Sequence, residues 1–136
     1  FLSMAVILAV GVATFNVKAI PDIYSVILIT SGAVAFTGMG MLIAHFVKEA
    51  EAADAAVNAV FFPQMFLSGS FFPIEIMPDF LQSIAKVLPL TYFNNGLRDA
   101  MIYGNTTSAL NNSLIILAVA AFFIIVASFL TKWREE

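Results

Sequence analysis

The sequence is poor in charge and contains no cysteine. Of its 136 residues, 11% are charged and 61% are hydrophobic, and the mean hydropathy is +0.96. Soluble domains are about 25% charged and about 45–50% apolar, so this composition excludes a soluble enzyme and a disordered tail. Without cysteine the chain has no disulfide framework, no thiol nucleophile and no thiolate metal site. The composition is that of a membrane protein.

Catalytic and nucleic-acid-binding signatures are also missing. The sequence has no G-x-x-x-x-G-K-[ST] phosphate loop, no H-E-x-x-H zinc helix and no basic patch. The single histidine, His45, has no neighbouring Cys, Asp or Glu that would complete a metal site, so an interfacial side chain is the simpler interpretation. We therefore expect no catalytic, cofactor or metal site in this chain, and no nucleic acid partner.

The six basic and nine acidic residues delimit four uncharged stretches. These are residues 1–17, 23–47, 55–72 and 113–131. A helix that crosses the hydrocarbon core needs about 20 largely apolar residues, and about 17–25 are tolerated. A charge at mid-bilayer is costly, and every charge falls outside these stretches. The sequence predicts an all-α polytopic helix bundle in the lipid bilayer, with four transmembrane helices.

Small residues within two of these spans favour close helix packing, which in lipid depends on backbones that can approach each other. The first span has an alanine ridge formed by Ala5, Ala9 and Ala13. The alternative is that alanine is simply common in apolar helices. The second span contains three glycines: Gly32, Gly38 and Gly40. Pro63 in the third span predicts a kink, and the polar Gln64 after it suggests a helix packed inside the bundle.

Two short helical patterns separate the third and fourth spans. The first runs over residues 78–88, with Pro78 at its start and Pro89 after its end, and the second runs from about residue 90 to Gly104, a typical helix stop. Both are too short to cross a membrane and too apolar for a solvated loop.

Residues 73–104 therefore form either a re-entrant hairpin or an amphipathic pair at the membrane surface, and the residues alone leave both open. The polar residues 105–112 predict a turn before the last span.

Residues 66–98 resemble the signature of type-2 ABC transporter permeases. That signature runs as a leucine-serine-glycine step, a Phe-Pro-acid step, a short helix led by proline, a Pro-Leu-Thr-Tyr turn and a terminal arginine. The matching residues here are Leu67-Ser68-Gly69, Phe72-Pro73-Ile74-Glu75, Met77-Pro78, Pro89-Leu90-Thr91-Tyr92 and Gly96-Leu97-Arg98.

The resemblance implies the fold and the partners. Family members usually have six spans, so the four spans would be the third to the sixth, and residues 1–136 would be part of a type-2 ABC permease transmembrane domain. Such a permease forms the translocation pathway of an ATP-driven exporter by alternating access. It pairs with a second permease copy, as a homodimer or heterodimer, and with a nucleotide-binding ATPase subunit. ATP and Mg would bind to that subunit, so this chain would not itself be an enzyme.

The resemblance also implies an orientation in the cell membrane. As a multi-pass protein, the chain would have a cytoplasmic carboxy terminus, and residues 73–112 would be extracellular. Charge bias does not decide this, because three basic residues fall on each side. They are Lys48, Lys132 and Arg134 on one side, and Lys18, Lys86 and Arg98 on the other.

The resemblance also suggests candidate functional residues, which would set the shape of an outer gate. They are Ser68, Gly69, Pro73, Glu75, Pro78, Pro89, Tyr92 and Arg98. The glycine and the prolines would set the turns. Glu75 and Arg98 are candidates for a polar link across the hairpin, and two separately solvated charges remain the alternative.

A second class of protein fits the same pattern. A non-transporting membrane scaffold or assembly protein could use the four helices only to pack against partners. A scaffold would show no ATP-dependent flux and would need no ATPase. No span contains a charge that would indicate the chemistry of a substrate.

Overall fold

The structure is a computed structural model that describes residues 22–47 and 49–132, with side chains described as far as residue 129. Within these ranges all regular structure is helical, as predicted. The segments are α1 (Ile23–His45), α2 (Ala50–Leu67), a 3-10 turn (Ile74–Ile76), α3 (Asp79–Ala85), α4 (Pro89–Arg98), a π-helical segment (Asp99–Tyr103) and α5 (Thr106–Lys132). The predicted span over residues 1–17 lies outside the described residues.

Two of the described helices are long and apolar enough to cross a membrane, namely α1 and residues Thr106–Phe129 of α5. Within the most apolar stretches of these helices, 22% of the residues in α1 and 17% in α5 are buried in the chain. An apolar surface of this extent must be covered by lipid or by other protein. These helices correspond to the predicted spans 23–47 and 113–131.

A capping box begins α1. The Asp22 carboxylate accepts a hydrogen bond from the backbone N–H of Ile23 at 2.6 Å, and the backbone N–H of Asp22 donates to the Ser25 hydroxyl at 3.3 Å. Each bond satisfies a donor that the helix itself cannot pair. The local sequence therefore sets the start of α1 at Ile23.

The helix α2 is displaced from the predicted span 55–72. It begins at Ala50, because the alanine-rich charged segment after Glu49 favours helix, and it ends at Leu67. Five predicted residues beyond Leu67 are not α-helical, since Gly69 adopts a left-handed φ of 78°. In addition, α2 is not among the helices that are long and apolar enough to span by composition.

The proline in α2 is followed by a buried amide. Pro63 lies inside the helix, and the Gln64 side chain is buried between α2 and its neighbours. Its Nε2 lies 3.6 Å from Met39 Sδ of α1, while its Oε1 has no hydrogen-bond partner among the described residues. The expectation that this part of α2 packs against another helix is therefore met.

The predicted polar turn over residues 105–112 is wrong. Helix α5 begins at Thr106, so most of these polar residues form its first two turns. The Asn105 side chain accepts a hydrogen bond from the backbone N–H of Ser108 at 3.2 Å, which satisfies one unpaired donor of the helix start. The side chains of Ser108 and Asn112 hydrogen-bond to Asp99. This pairing explains why the first two turns of α5 contain polar residues.

The two short helices between α2 and α5 are present at the predicted places. Pro78 directly precedes α3 and Pro89 is the first residue of α4, where the missing N–H costs nothing. After Arg98 the chain continues as the π-helical segment, and Gly104 ends it with a left-handed φ of 63°. The segment from Pro73 to Gly104 is called the hairpin segment below.

Glycines bring α1 close to α5 and to α4. A Cβ on Gly38 would lie 2.7 Å from Phe123 Cβ, and a Cβ on Gly96 would lie 2.9 Å from both Leu28 Cδ1 and Asn112 Cβ. The starts of α1 and α5 therefore meet at α4, and their later parts meet at Gly38. The two long helices run in the same direction, with the hairpin segment at their amino-terminal ends.

The predicted glycine packing holds for only part of the set. Gly32 faces the Phe93 ring and Gly38 faces Phe123, but a Cβ on Gly40 would meet nothing within 4 Å.

We expect Gly38→Ala to lower the free energy of unfolding by about 1–3 kcal/mol, because the added methyl group forces α1 away from α5. Gly40→Ala is the matched control, and alanine should there be neutral or stabilising by up to about 1 kcal/mol. Thermal unfolding of the full-length protein in detergent measures both. Equal effects of the two substitutions would contradict the observed helix contact.

Candidate functional site

The turn that ends α2 requires its glycine. Gly69 has a φ of 78°, which residues with a Cβ rarely adopt, and a Cβ there would lie 3.2 Å from Ile74 Cγ1. The preceding Ser68 is 0% exposed, and its backbone N–H donates to Gln64 O at 2.9 Å. The turn is thus a fixed part of the fold.

Two side chains of α4 hold this turn. Asn94 Nδ2 lies 3.0 Å from Ser68 Oγ, 2.6 Å from Ser70 Oγ and 3.3 Å from Ser68 O. Arg98 Nη2 donates to Gly69 O at 3.1 Å. Because Asn94 and Arg98 are four residues apart, they lie on the same face of the helix. We call these five residues, Ser68, Gly69, Ser70, Asn94 and Arg98, the clasp.

A second polar cluster joins the hairpin segment to α5. Asp99 Oδ2 accepts hydrogen bonds from Ser108 Oγ at 2.5 Å and from Asn112 Nδ2 at 3.4 Å. The backbone N–H of Asn105 donates to Asp99 O at 3.0 Å. We call this cluster, Asp99, Asn105, Ser108 and Asn112, the Asp99 network. Since Asp99 directly follows Arg98, consecutive residues connect the hairpin segment to the turn after α2 and to the start of α5.

A polar cavity of about 400 Å³ lies beside these contacts. It is lined by Glu75, Asn95, Arg98, Asp99, Tyr103, Ser108 and Asn112. The lining offers carboxylates, amides, hydroxyls and a guanidinium, so it can hydrogen-bond a polar group but has little apolar surface. Within the described residues no group of three or more His, Cys, Asp or Glu side chains could hold a metal ion.

The proposed link between Glu75 and Arg98 is not formed in this structure. Both side chains line the polar cavity, but Arg98 donates to Gly69 O, and no ion pair joins the two charges. Glu75 is exposed in the 3-10 turn. The alternative of two separate charges describes this structure, and the role of Arg98 is to bind the turn.

The other predicted residues shape the hairpin segment rather than the clasp. Pro73 lies directly before the 3-10 turn. Pro78 and Pro89 likewise lie at the starts of α3 and α4. The Tyr92 hydroxyl donates to Lys86 O at 2.6 Å, which holds the connection between α3 and α4 closed. Of the eight predicted residues, the structure therefore brings three into one cluster: Ser68, Gly69 and Arg98.

Sequence reasoning missed the clasp's Asn94 and Ser70, and all of the Asp99 network. The available signal was spacing, because Asn94 precedes the signature arginine by one helical turn and therefore shares its face. The polar residues of α5 gave a further signal, since Ser108 and Asn112 are also four residues apart.

Two helices long and apolar enough to cross a membrane, with a short helical segment packed against both, are typical of a helical membrane protein. The chain belongs to the ABC-2 type transporter family, whose family model matches residues 1–102. The resemblance of residues 66–98 to type-2 ABC transporter permeases is therefore confirmed.

Several curated relatives are permeases of this kind. The chain is 35% identical over 101 residues to the probable multidrug ABC transporter permease YbhS of Escherichia coli (strain K12), covering 73% of this chain and 27% of that protein. It is 28% identical over 136 residues to the putative transport permease YvfS of Bacillus subtilis (strain 168), covering 98% and 54%. It is 33% identical over 112 residues to the linearmycin resistance permease protein LnrN of the same organism, covering 82% and 28%.

The chain thus spans between about a quarter and about half of the length of these relatives. No solved structure matches it.

Arg98→Ala and Glu75→Gln should act independently on stability. We expect Arg98→Ala to cost about 1–2 kcal/mol, because it removes a charged donor from Gly69 O. Glu75→Gln should stay within about 0.5 kcal/mol, because the carboxylate is exposed and unpaired. Unfolding in detergent of the single variants and the double variant gives the coupling. A coupling energy above about 1 kcal/mol would show that the two charges pair in solution.

Proposed function

We propose that this chain is part of the permease of an ATP-driven exporter. It forms the translocation pathway by alternating access, together with a second permease copy, and a separate subunit binds and hydrolyses ATP with Mg. The observation that carries the proposal is the family match over residues 1–102, which includes most of the hairpin segment. The clasp supports it, because the signature residues Gly69, in the turn after α2, and Arg98, in α4, meet there.

The direction of the long helices supports a third crossing between them. Because α1 and α5 run in the same direction, a chain in which both span must return across the membrane once between them. Of the described helices, α2 is the one long enough for this return. Its 18 residues extend about 27 Å at 1.5 Å per residue, close to the hydrocarbon thickness of about 30 Å. With residues 1–17 as a further span, the chain would cross four times.

The same geometry supports an orientation. If the turn between α1 and α2 faces the cytoplasm, as the family resemblance implies, the hairpin segment lies on the extracellular side and the carboxy terminus in the cytoplasm. The hairpin segment is tied to the end of α2 and to the start of α5. In this arrangement it closes the outer end of the pathway as a re-entrant gate.

The cargo that we propose is a small amphipathic compound. Neither α1 nor the spanning part of α5 contains Asp, Glu, Lys or Arg. Such walls suit an apolar or amphipathic molecule better than a free ion. The names of two relatives, a probable multidrug permease and a linearmycin resistance permease, agree with this choice.

Export should require the ATPase encoded with the full-length chain. In inverted vesicles that contain both proteins, ATP should drive uptake of an amphipathic dye, and replacing the phosphate-loop lysine of the ATPase should abolish uptake, because the permease has no energy source of its own. The two proteins should also purify together. Uptake that persists with the ATPase variant would contradict the proposal. If there is no uptake and no ATPase purifies with the chain, the result would favour a scaffold.

Cysteine labelling tests the orientation. Val87, between α3 and α4, is 79% exposed, and Ala52 lies near the start of α2. In a full-length chain without other cysteines, Val87→Cys should react with a membrane-impermeant maleimide added to intact cells, whereas Ala52→Cys should react only after permeabilisation. The reverse pattern would overturn the orientation.

A further inference from the structure

Among the described residues, the Asn94 amide makes three of the four side-chain hydrogen bonds between the hairpin segment and the turn that ends α2. The Nδ2 group of Asn94 lies within 3.3 Å of three oxygen atoms, two on Ser68 and one on Ser70. The two hydroxyls also lie 3.0 Å apart, so the three side chains form one connected group. Ser68 is fully buried, and the loss of a donor at a buried oxygen is costly. Removing the Asn94 amide would therefore take this donor from Ser68 O.

The position of Asn94 limits what the hairpin segment can do by itself. Arg98 lies one helical turn after Asn94 in α4, and it donates to the carbonyl of Gly69, which is the middle residue of the turn after α2. Directly after Arg98, Asp99 holds the start of α5. Because α4 is held on both sides, it cannot tilt away from α2 without breaking several hydrogen bonds.

We propose that Asn94 is a positioning residue that makes the end of α2 and the hairpin segment a single moving unit during transport. The proposal rests on the proposed function, since it concerns the movement of the gate. In this mechanism the gate does not swing on its own. The end of α2 carries it, so movement of α2 driven by the ATPase subunit opens the pathway.

A covalent lock tests whether the clasp stays closed. In the complete complex, Ser70→Cys and Asn94→Cys are combined in a chain without other cysteines and joined by oxidation or by a short bis-maleimide. If the two parts move together, the joined protein exports at nearly the native rate, and reducing the disulfide lowers export. If joining the two residues stops export, the clasp must open in each cycle and the proposal is wrong.

The ratio of export to ATP hydrolysis provides an independent test. We expect Asn94→Ala to lower export per ATP by about fivefold, the change in an equilibrium that the loss of about one net hydrogen bond produces. ATP hydrolysis itself should persist. Asn94→Gln, which keeps the amide donor, should recover part of the ratio.

Asn111→Ala is the matched control, because Asn111 is exposed near the start of α5 and makes no side-chain hydrogen bond with the described residues. Its ratio should equal the native one. If Asn94→Ala lowers export and ATP hydrolysis in equal proportion, the residue acts only on stability and the proposal is wrong. A native complex without any ATP-dependent export would instead refute the proposed function, so the two failures are distinguishable.

Discussion

In a bilayer, polar groups must find their partners within the protein, because lipid offers none. This constraint organises the described structure. The side-chain hydrogen bonds that join different helical segments are concentrated at the hairpin segment, where the clasp and the Asp99 network satisfy amides, hydroxyls and carbonyls. Farther from the hairpin segment, hydroxyl groups of α1 and α5 bond to carbonyls of their own helix, as those of Ser31 and Ser113 do. The helices are therefore joined by packing along their length and by hydrogen bonds at one end.

Packing and polar contacts have separate roles in this arrangement. Gly38 lets α1 and α5 approach within the apolar part of the bundle, and Gly96 lets α4 sit against the starts of both. Both contacts are van der Waals packing, which does not by itself fix the orientation of the hairpin segment. The hydrogen bonds of the clasp fix this orientation, because they are directional. Gln64 is an exception, because its Oε1 is buried without a partner among the described residues, and it lies directly after the proline that interrupts the backbone bonding of α2.

The sequence was sufficient for the features that depend on local composition. Charge positions located the two apolar spans that the structure describes, and the prolines and Gly104 located the ends of the short helices. The sequence was not sufficient where the role of a residue depends on a partner that is distant in sequence. Ser108 and Asn112 favour a turn as long as Asp99 is not known to lie beside them. Opposite charge makes Glu75 a candidate partner of Arg98, with two separate charges as the alternative. The true acceptor of Arg98 is a backbone carbonyl, which no sequence pattern marks.

The order of the clasp residues along the chain has a consequence for biosynthesis. Its members precede Asp99, with hydrogen-bonded partners between 24 and 29 residues apart, so α2 and the hairpin segment can pair before the last span has been synthesised. The side-chain partners of Asp99 lie only 9 and 13 residues beyond it. Helix α5 then enters the membrane beside a unit that is already assembled, and its first two turns carry the groups that dock it there.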